Sequence, residues 1–166
     1  TAAPRLSGRP GIHVRFHQSL IGNTTQQMLA GRKFDQDRLV DLAENQLGFK
    51  LPPKDEDDVP FSITFADNDP LTLEIADNIL TIAVRGKQFT SDEKTYDGMN
   101  ITARYKIATT GNAIKLTRED DLQIYPPGFR PGVDKLALSQ TTFKRILQRK
   151  FDKILPDERV GEGIAF

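Results

Sequence analysis

Between Phe61 and Ile124, apolar residues recur at every second position in one short run after another, and no gap between runs holds a helical pattern. The runs are Phe61, Ile63, Phe65; Leu71, Leu73, Ile75; Leu80, Ile82, Val84; Met99, Ile101, Ala103, Tyr105, Ile107; Ile114, Leu116; and Leu122, Ile124. Successive strand side chains point to opposite faces, so a period of two marks half-buried strands. Parallel neighbours would need crossovers of a dozen or more residues. These runs are joined instead by Asp67-Asn68-Asp69-Pro70, Asp77-Asn78, a polar loop at 90–98, Gly111-Asn112 and Asp120-Asp121. The sheet they form is antiparallel, with one dry and one wet face.

A dry face has to be closed, and the flanking segments supply the covers. Residues 19–31 show helical spacing, with Leu20, Ile21, Met28 and Leu29 on one side and Gly31 as the stop. A second helix follows Asp35, a candidate N-cap, with Phe34 placed to staple onto Leu39. Leu39, Leu42, Ala43 and Leu47 make its stripe, and Gly48 ends it. The third helix spans about 140–155 by the spacing of Phe143, Ile146, Leu147, Phe151, Ile154 and Leu155. Ser139 or Thr141 is its expected cap and Pro156 its stop. Ile12 to His17 alternates as a further strand, residues 51–60 read as an acidic, proline-bearing loop, and Pro126 to Gly132 interrupts regular structure. The expected fold is therefore α+β: an antiparallel β-meander of about six to seven strands, with two N-terminal helices and one C-terminal amphipathic helix on one face. Residues 1–11 read as a linker, 12–156 as one domain and 157–166 as a tail.

Composition narrows the chemistry. The chain has no Cys, which removes disulfides, thiolate catalysis and Cys-based zinc sites. Lys+Arg and Asp+Glu are 23 each, so no global field draws nucleic acid. No apolar run approaches the roughly 20 residues of a membrane-spanning helix. The start at Thr1-Ala2-Ala3-Pro4 and the linker-like N-terminus suggest a domain of a larger bacterial, extracytoplasmic protein whose other domains are its partners.

The candidate catalytic groups do not assemble into a motif. His13 and His17 on one strand lie roughly 13 Å apart, too far to share an ion. The run Asp55-Glu56-Asp57-Asp58, with Asp67 and Asp69, offers oxygen ligands but lacks calcium-loop spacing. Neither G-x-S-x-G nor S-x-x-K occurs. No catalytic residue, metal ligand or cofactor is assigned, although a hydrolase or metal-dependent enzyme using His17 or the acidic loop is the rival reading. Arg104, Lys106 and Lys115, on adjacent strands of the wet face, are candidates for binding a polyanion. Lys144, Arg145, Arg149, Lys150 and Lys153 flank the stripe of the last helix, a pattern shared by membrane-surface helices and by helices that pack on a sheet.

The stretches HQSLIGNTTQQMLAGRKF, PFSITFADNDPLTLEIADNILTIAVRGKQF and MNITARYKI resemble uncharacterised domains of large planctomycete-type bacterial proteins. Their order is also similar to one half of a tubular lipid-binding (TULIP-like) module, in which a curved antiparallel sheet wraps a helix. That resemblance implies a non-enzymatic binding domain whose inner sheet face takes a lipid or other apolar small molecule. Phe65, Leu73, Ile82, Ile101 and Tyr105 would line the groove. A core filled by the helices is the alternative.

Overall fold

The computed structural model describes residues 18–46, 56, 58–111 and 113–162. The predicted strand at 12–17, with His13 and His17, lies outside them, as do Asp55 and Asp57. The architecture is the predicted one: three helices and an all-antiparallel sheet. Its centre is one long hairpin, β4 (Ile79–Ser91) and β5 (Lys94–Thr110). At 13 and 17 residues, each strand is long enough to carry two shorter strands end to end on its free edge. On β4 these are β2 (Phe61–Phe65) and β3 (Leu71–Ala76); on β5 they are β6 (Ala113–Arg118) and β7 (Gln123–Tyr125). Consecutive β2 and β3 therefore both pair with β4 rather than with each other, and the chain turns between them at 66–70.

Two strands were not read from the sequence. β1 (Lys33–Asp35) extends one edge beside β2, and β8 (Glu158–Glu162) extends the other beside β6. Ordered pairing thus continues into residues expected to be a tail. The predicted loop at 90–98 is also strand on both sides. Ser91 pairs with Lys94 across Asp92-Glu93, whose φ values of 50° and 63° are those of a type I′ hairpin turn. The anticipated turn at Asp77-Asn78 has the same form, with φ of 51° and 61°.

Gly86 and Gly98 mark a bend in the hairpin. Buried positions alternate through Ile82, Val84 and Gly86, then change phase to Phe89 and Ser91. A Cβ on Gly86 would fall 2.7 Å from Cε2 of the Phe89 ring and 3.0 Å from Cδ1 of Ile63. One on Gly98 would fall 2.8 Å from the Gly86 carbonyl. Without side chains there, the Phe89 ring packs over Gly86 and the two strands approach closely at Gly98.

Three helices close the dry face: α1 (Gln18–Leu29), α2 (Gln36–Gln46) and α3 (Leu138–Ile154). Asp35 caps α2 as expected, its Oδ1 accepting the Arg38 N–H at 2.9 Å. The cap of α3 is not Ser139 or Thr141, which lie inside the helix. Ala137 is the N-cap, its N–H donating to Gln140 Oε1 at 2.8 Å. Phe143, Leu147 and Phe151 of α3 are buried with Phe61, Phe89 and the sheet residues. Aromatic contacts join the two layers: Phe143 stacks on Tyr96 at 4.1 Å and meets Phe89 edge-on at 5.3 Å, and Phe61 meets Phe151 at 6.4 Å.

Candidate interaction surface

The groove implied by the TULIP-like resemblance would lie on the inner face of the sheet. Phe65, Ile82, Ile101 and Tyr105 are buried in the core, and Leu73 packs against it partly buried. The Tyr105 hydroxyl donates to the Pro156 carbonyl at 3.0 Å. Between sheet and helices is a cavity of about 30 Å³, lined by Leu39, Phe65, Ile82, Phe151 and neighbouring apolar side chains. The cavity is small, apolar and partly open.

The wet face carries the predicted basic residues, with opposite charges interleaved. Arg104 lies 3.6 Å from Glu119, and Lys115 lies 2.5 Å from Glu158. Lys106 is exposed on the same face, paired in register with Ile79 and Thr117.

Two half-buried polar clusters brace α3, and neither had a signal in sequence spacing. Lys150 Nζ donates to Asp58 Oδ1 at 2.6 Å and to the Val59 carbonyl at 3.0 Å, while Gln36 Nε2 donates to Asp58 Oδ2 at 2.7 Å. Lys153 stands 3.9 Å from Asp58, and the Asp58 and Lys150 side chains are each only 12 % exposed. The Lys150 hydrogen bond, helped by Gln36 and the two lysine charges, holds the Asp58 carboxyl below its ordinary value despite partial burial. The one member of the predicted acidic run with described side-chain partners is thus engaged by lysine. In the same C-terminal turns of α3, the Arg118 side chain, 7 % exposed, donates to Asp152 at 2.9 Å, to the Leu155 carbonyl at 3.0 Å and to Asp157. It ties the end of the helix to β6. Among the described residues, no group of three His, Asp or Glu side chains is placed to hold a metal ion.

A different surface stands out beyond β7. The Tyr125 and Phe129 rings stack at 4.8 Å and 6°. Lys144 Nζ lies 4.2 Å from the centre of the Tyr125 ring, so a cation and two aromatic rings are layered at the base of the loop. Arg130 folds the loop on itself. Its backbone N–H donates to Asp134 Oδ2 at 2.7 Å and its guanidinium donates to both carboxylate oxygens, which holds the Asp134 carboxyl below its ordinary value. The two most exposed large hydrophobic residues among the described ones follow: Val133 at 67 % and Leu138 at 84 %. From Leu138, positions i+4, i+7 and i+11 are Thr142, Arg145 and Arg149. All four are exposed on one stripe of α3, opposite buried Phe143, Leu147 and Phe151. The apolar stripe of α3 faces the sheet, and its cations are divided by direction. Lys150 turns toward α2, Lys144 toward β7, and Arg145 and Arg149 toward solvent.

Comparison with known proteins gives no match: no family model, no curated protein and no solved structure is similar to this chain. Among the described residues, no helix is long and apolar enough to cross a membrane.

Proposed function

We propose that this chain is a non-enzymatic interaction domain that engages its partner through the surface formed by residues 125–149. The carrying observation is the coincidence of a stiffened loop with misplaced apolar residues. Tyr125, Phe129 and Lys144 fix the base of the loop, while Val133 and Leu138 hold their side chains in solvent. Singly exposed apolar residues are ordinary on a protein surface. Val133 on the proline-restrained loop and Leu138 at the start of α3 lie within six residues of each other, which supports reading them together as one contact surface. The polar clusters on the rest of α3 support the same reading. Asp58, Lys150, Arg118 and Asp152 are occupied in holding helix to sheet.

A photo-activated cross-linking residue placed at Leu138, and separately at Thr72 on the opposite sheet face, tests this in cells making the protein. Adducts specific to position 138 are expected. Adducts at Thr72 alone, or at neither position, would remove the basis for the proposal.

The TULIP-like layout supplies a second reading, in which an apolar ligand enters the core where Phe65 and Ile82 line the small cavity. A bulky ligand would have to displace lining side chains such as Leu39 and Phe151. Native mass spectrometry of the purified chain decides it: a bound apolar mass would favour this reading, and the bare chain mass would end it.

A further inference from the structure

We infer that the partner of this surface is the face of an anionic phospholipid bilayer; the inference rests on the 125–149 reading above. Charge is its first argument. Between Pro126 and Arg149 the chain carries Arg130, Lys135, Lys144, Arg145 and Arg149 against a single carboxylate, Asp134. The chain as a whole is neutral, so this excess is local. Asp134 is neutralised by Arg130 and Lys144 is spent on the Tyr125 ring, which leaves Lys135, Arg145 and Arg149 exposed.

Apolar side chains lie between those cations. Val133 and Leu138 are aliphatic, and they flank Lys135 in sequence. A nucleic acid offers such side chains little, since its surface there is phosphate and sugar. A bilayer interface takes both parts: aliphatic tips enter the boundary between headgroups and acyl chains, and the basic residues meet lipid phosphates. Docking is by the N-terminal end and outer stripe of α3 with the loop before it. The apolar face of α3 is occupied by the core and does not take part.

The loop is built for this at low entropic cost. Pro126, Pro127 and Pro131 restrict it, Asp134 closes it on Arg130, and Phe129 anchors it on Tyr125. Each cation near an anionic leaflet adds roughly fivefold to binding, and the attraction fades within about a Debye length, so salt weakens it.

Flotation of the purified chain with vesicles of phosphatidylcholine alone, or of phosphatidylcholine and phosphatidylglycerol in equal parts, is the test. Binding to the mixed vesicles and not to the neutral ones is expected, weakening as salt is raised. The double variant Arg145→Glu/Arg149→Glu should bind at least about tenfold more weakly. Leu138→Ser should lose several-fold at unchanged charge, and Lys106→Glu on the sheet face should stay within about twofold of the parent. These side chains are exposed, and a thermal melt of each variant confirms that it is folded. No binding to anionic vesicles, equal binding to neutral ones, or an equal loss in Lys106→Glu would overturn the inference. If vesicles fail while cross-linking at Leu138 still captures a protein, the lipid assignment falls and the contact surface stands.

Discussion

Asp58 and Lys150 are 92 residues apart in sequence, and their ion pair bridges the loop before β2 to α3, with Gln36 bringing in the start of α2. Replacing Lys150 by Met keeps most of the apolar stem and removes the charge. The gross attraction at 2.6 Å is roughly 6 kcal/mol with an effective dielectric near 20, but desolvating two ions costs several kcal/mol each, so the net worth of the pair is small. Leaving one ion behind is what costs. Lys150→Met strands a carboxylate that is 12 % exposed and keeps only Gln36 and the more distant Lys153. A loss of about 2–3 kcal/mol is expected, below the range for fully buried ions because Lys153 partly compensates. Asp58→Asn should cost about 1–2 kcal/mol, and the double variant Asp58→Asn/Lys150→Met about 2 kcal/mol, milder than the sum of the singles by about 2 kcal/mol.

Urea unfolding at neutral pH measures this as a change of midpoint at constant slope. Acid titration gives an independent check. The folded carboxyl lies below its ordinary value of 3.8, so on acidification the unfolded chain takes up the proton first. The contribution of Asp58 is complete above about 3.8 and is lost as pH falls from there through the folded value. The gap between parent and Asp58→Asn should therefore narrow below that pH and stay constant above it. Strict additivity of the single variants, or a gap that does not depend on pH, would refute the coupling.

Three further outcomes follow from the same structure. Phe143→Ala, which empties a buried site against Tyr96 and Phe89, should cost about 3–5 kcal/mol by chemical denaturation. Gly98→Ala should cost about 1–3 kcal/mol, because the new Cβ meets backbone of the facing strand that cannot rotate away; a melting temperature equal to the parent's would show that the bend is not needed. Arg118→Lys should lose about 1–2 kcal/mol, since one ammonium cannot reproduce donation to Asp152, Asp157 and the Leu155 carbonyl together, and hydrogen exchange should speed up in the last turn of α3.

What the sequence disclosed was what repeats. The period-two runs placed β2 to β7, and the spacing of Phe143, Leu147 and Phe151 placed α3 with its buried face. Asp77-Asn78 announced a hairpin because Asp and Asn tolerate the left-handed region. Asp92-Glu93 adopts the same turn, but Glu carries no such preference, and the polar residues around it hid two strand ends. β1 and β8 were illegible for a related reason. Lys33-Phe34-Asp35 has one apolar residue, and Glu158 to Glu162 carries three charges; each is a strand because a neighbouring strand offers an open edge. The bridge from Asp58 to Lys150 has no spacing at all, since tertiary structure alone brings the two together.

Leu138 is different, because its signal was present. Counted at 100° per residue from the buried positions Phe143, Leu147 and Phe151, it falls on the opposite side of α3, where an isolated helix of a soluble domain would carry a polar residue. Val133 follows Gly132 in a segment with no period of its own. A large apolar residue that violates the pattern its own helix establishes has no part in the core. Arg145 and Arg149 continue the same stripe, so the violation and the charge share one face. That coincidence, more than either residue alone, is what supports the proposed docking site, and it sets the order of experiments. Leu138→Ser and Arg145→Glu/Arg149→Glu should leave the melting temperature within a degree or two of the parent while weakening association with anionic vesicles several-fold and at least about tenfold, respectively. A stability loss as large as that of Phe143→Ala would return Leu138 to the core and remove the site.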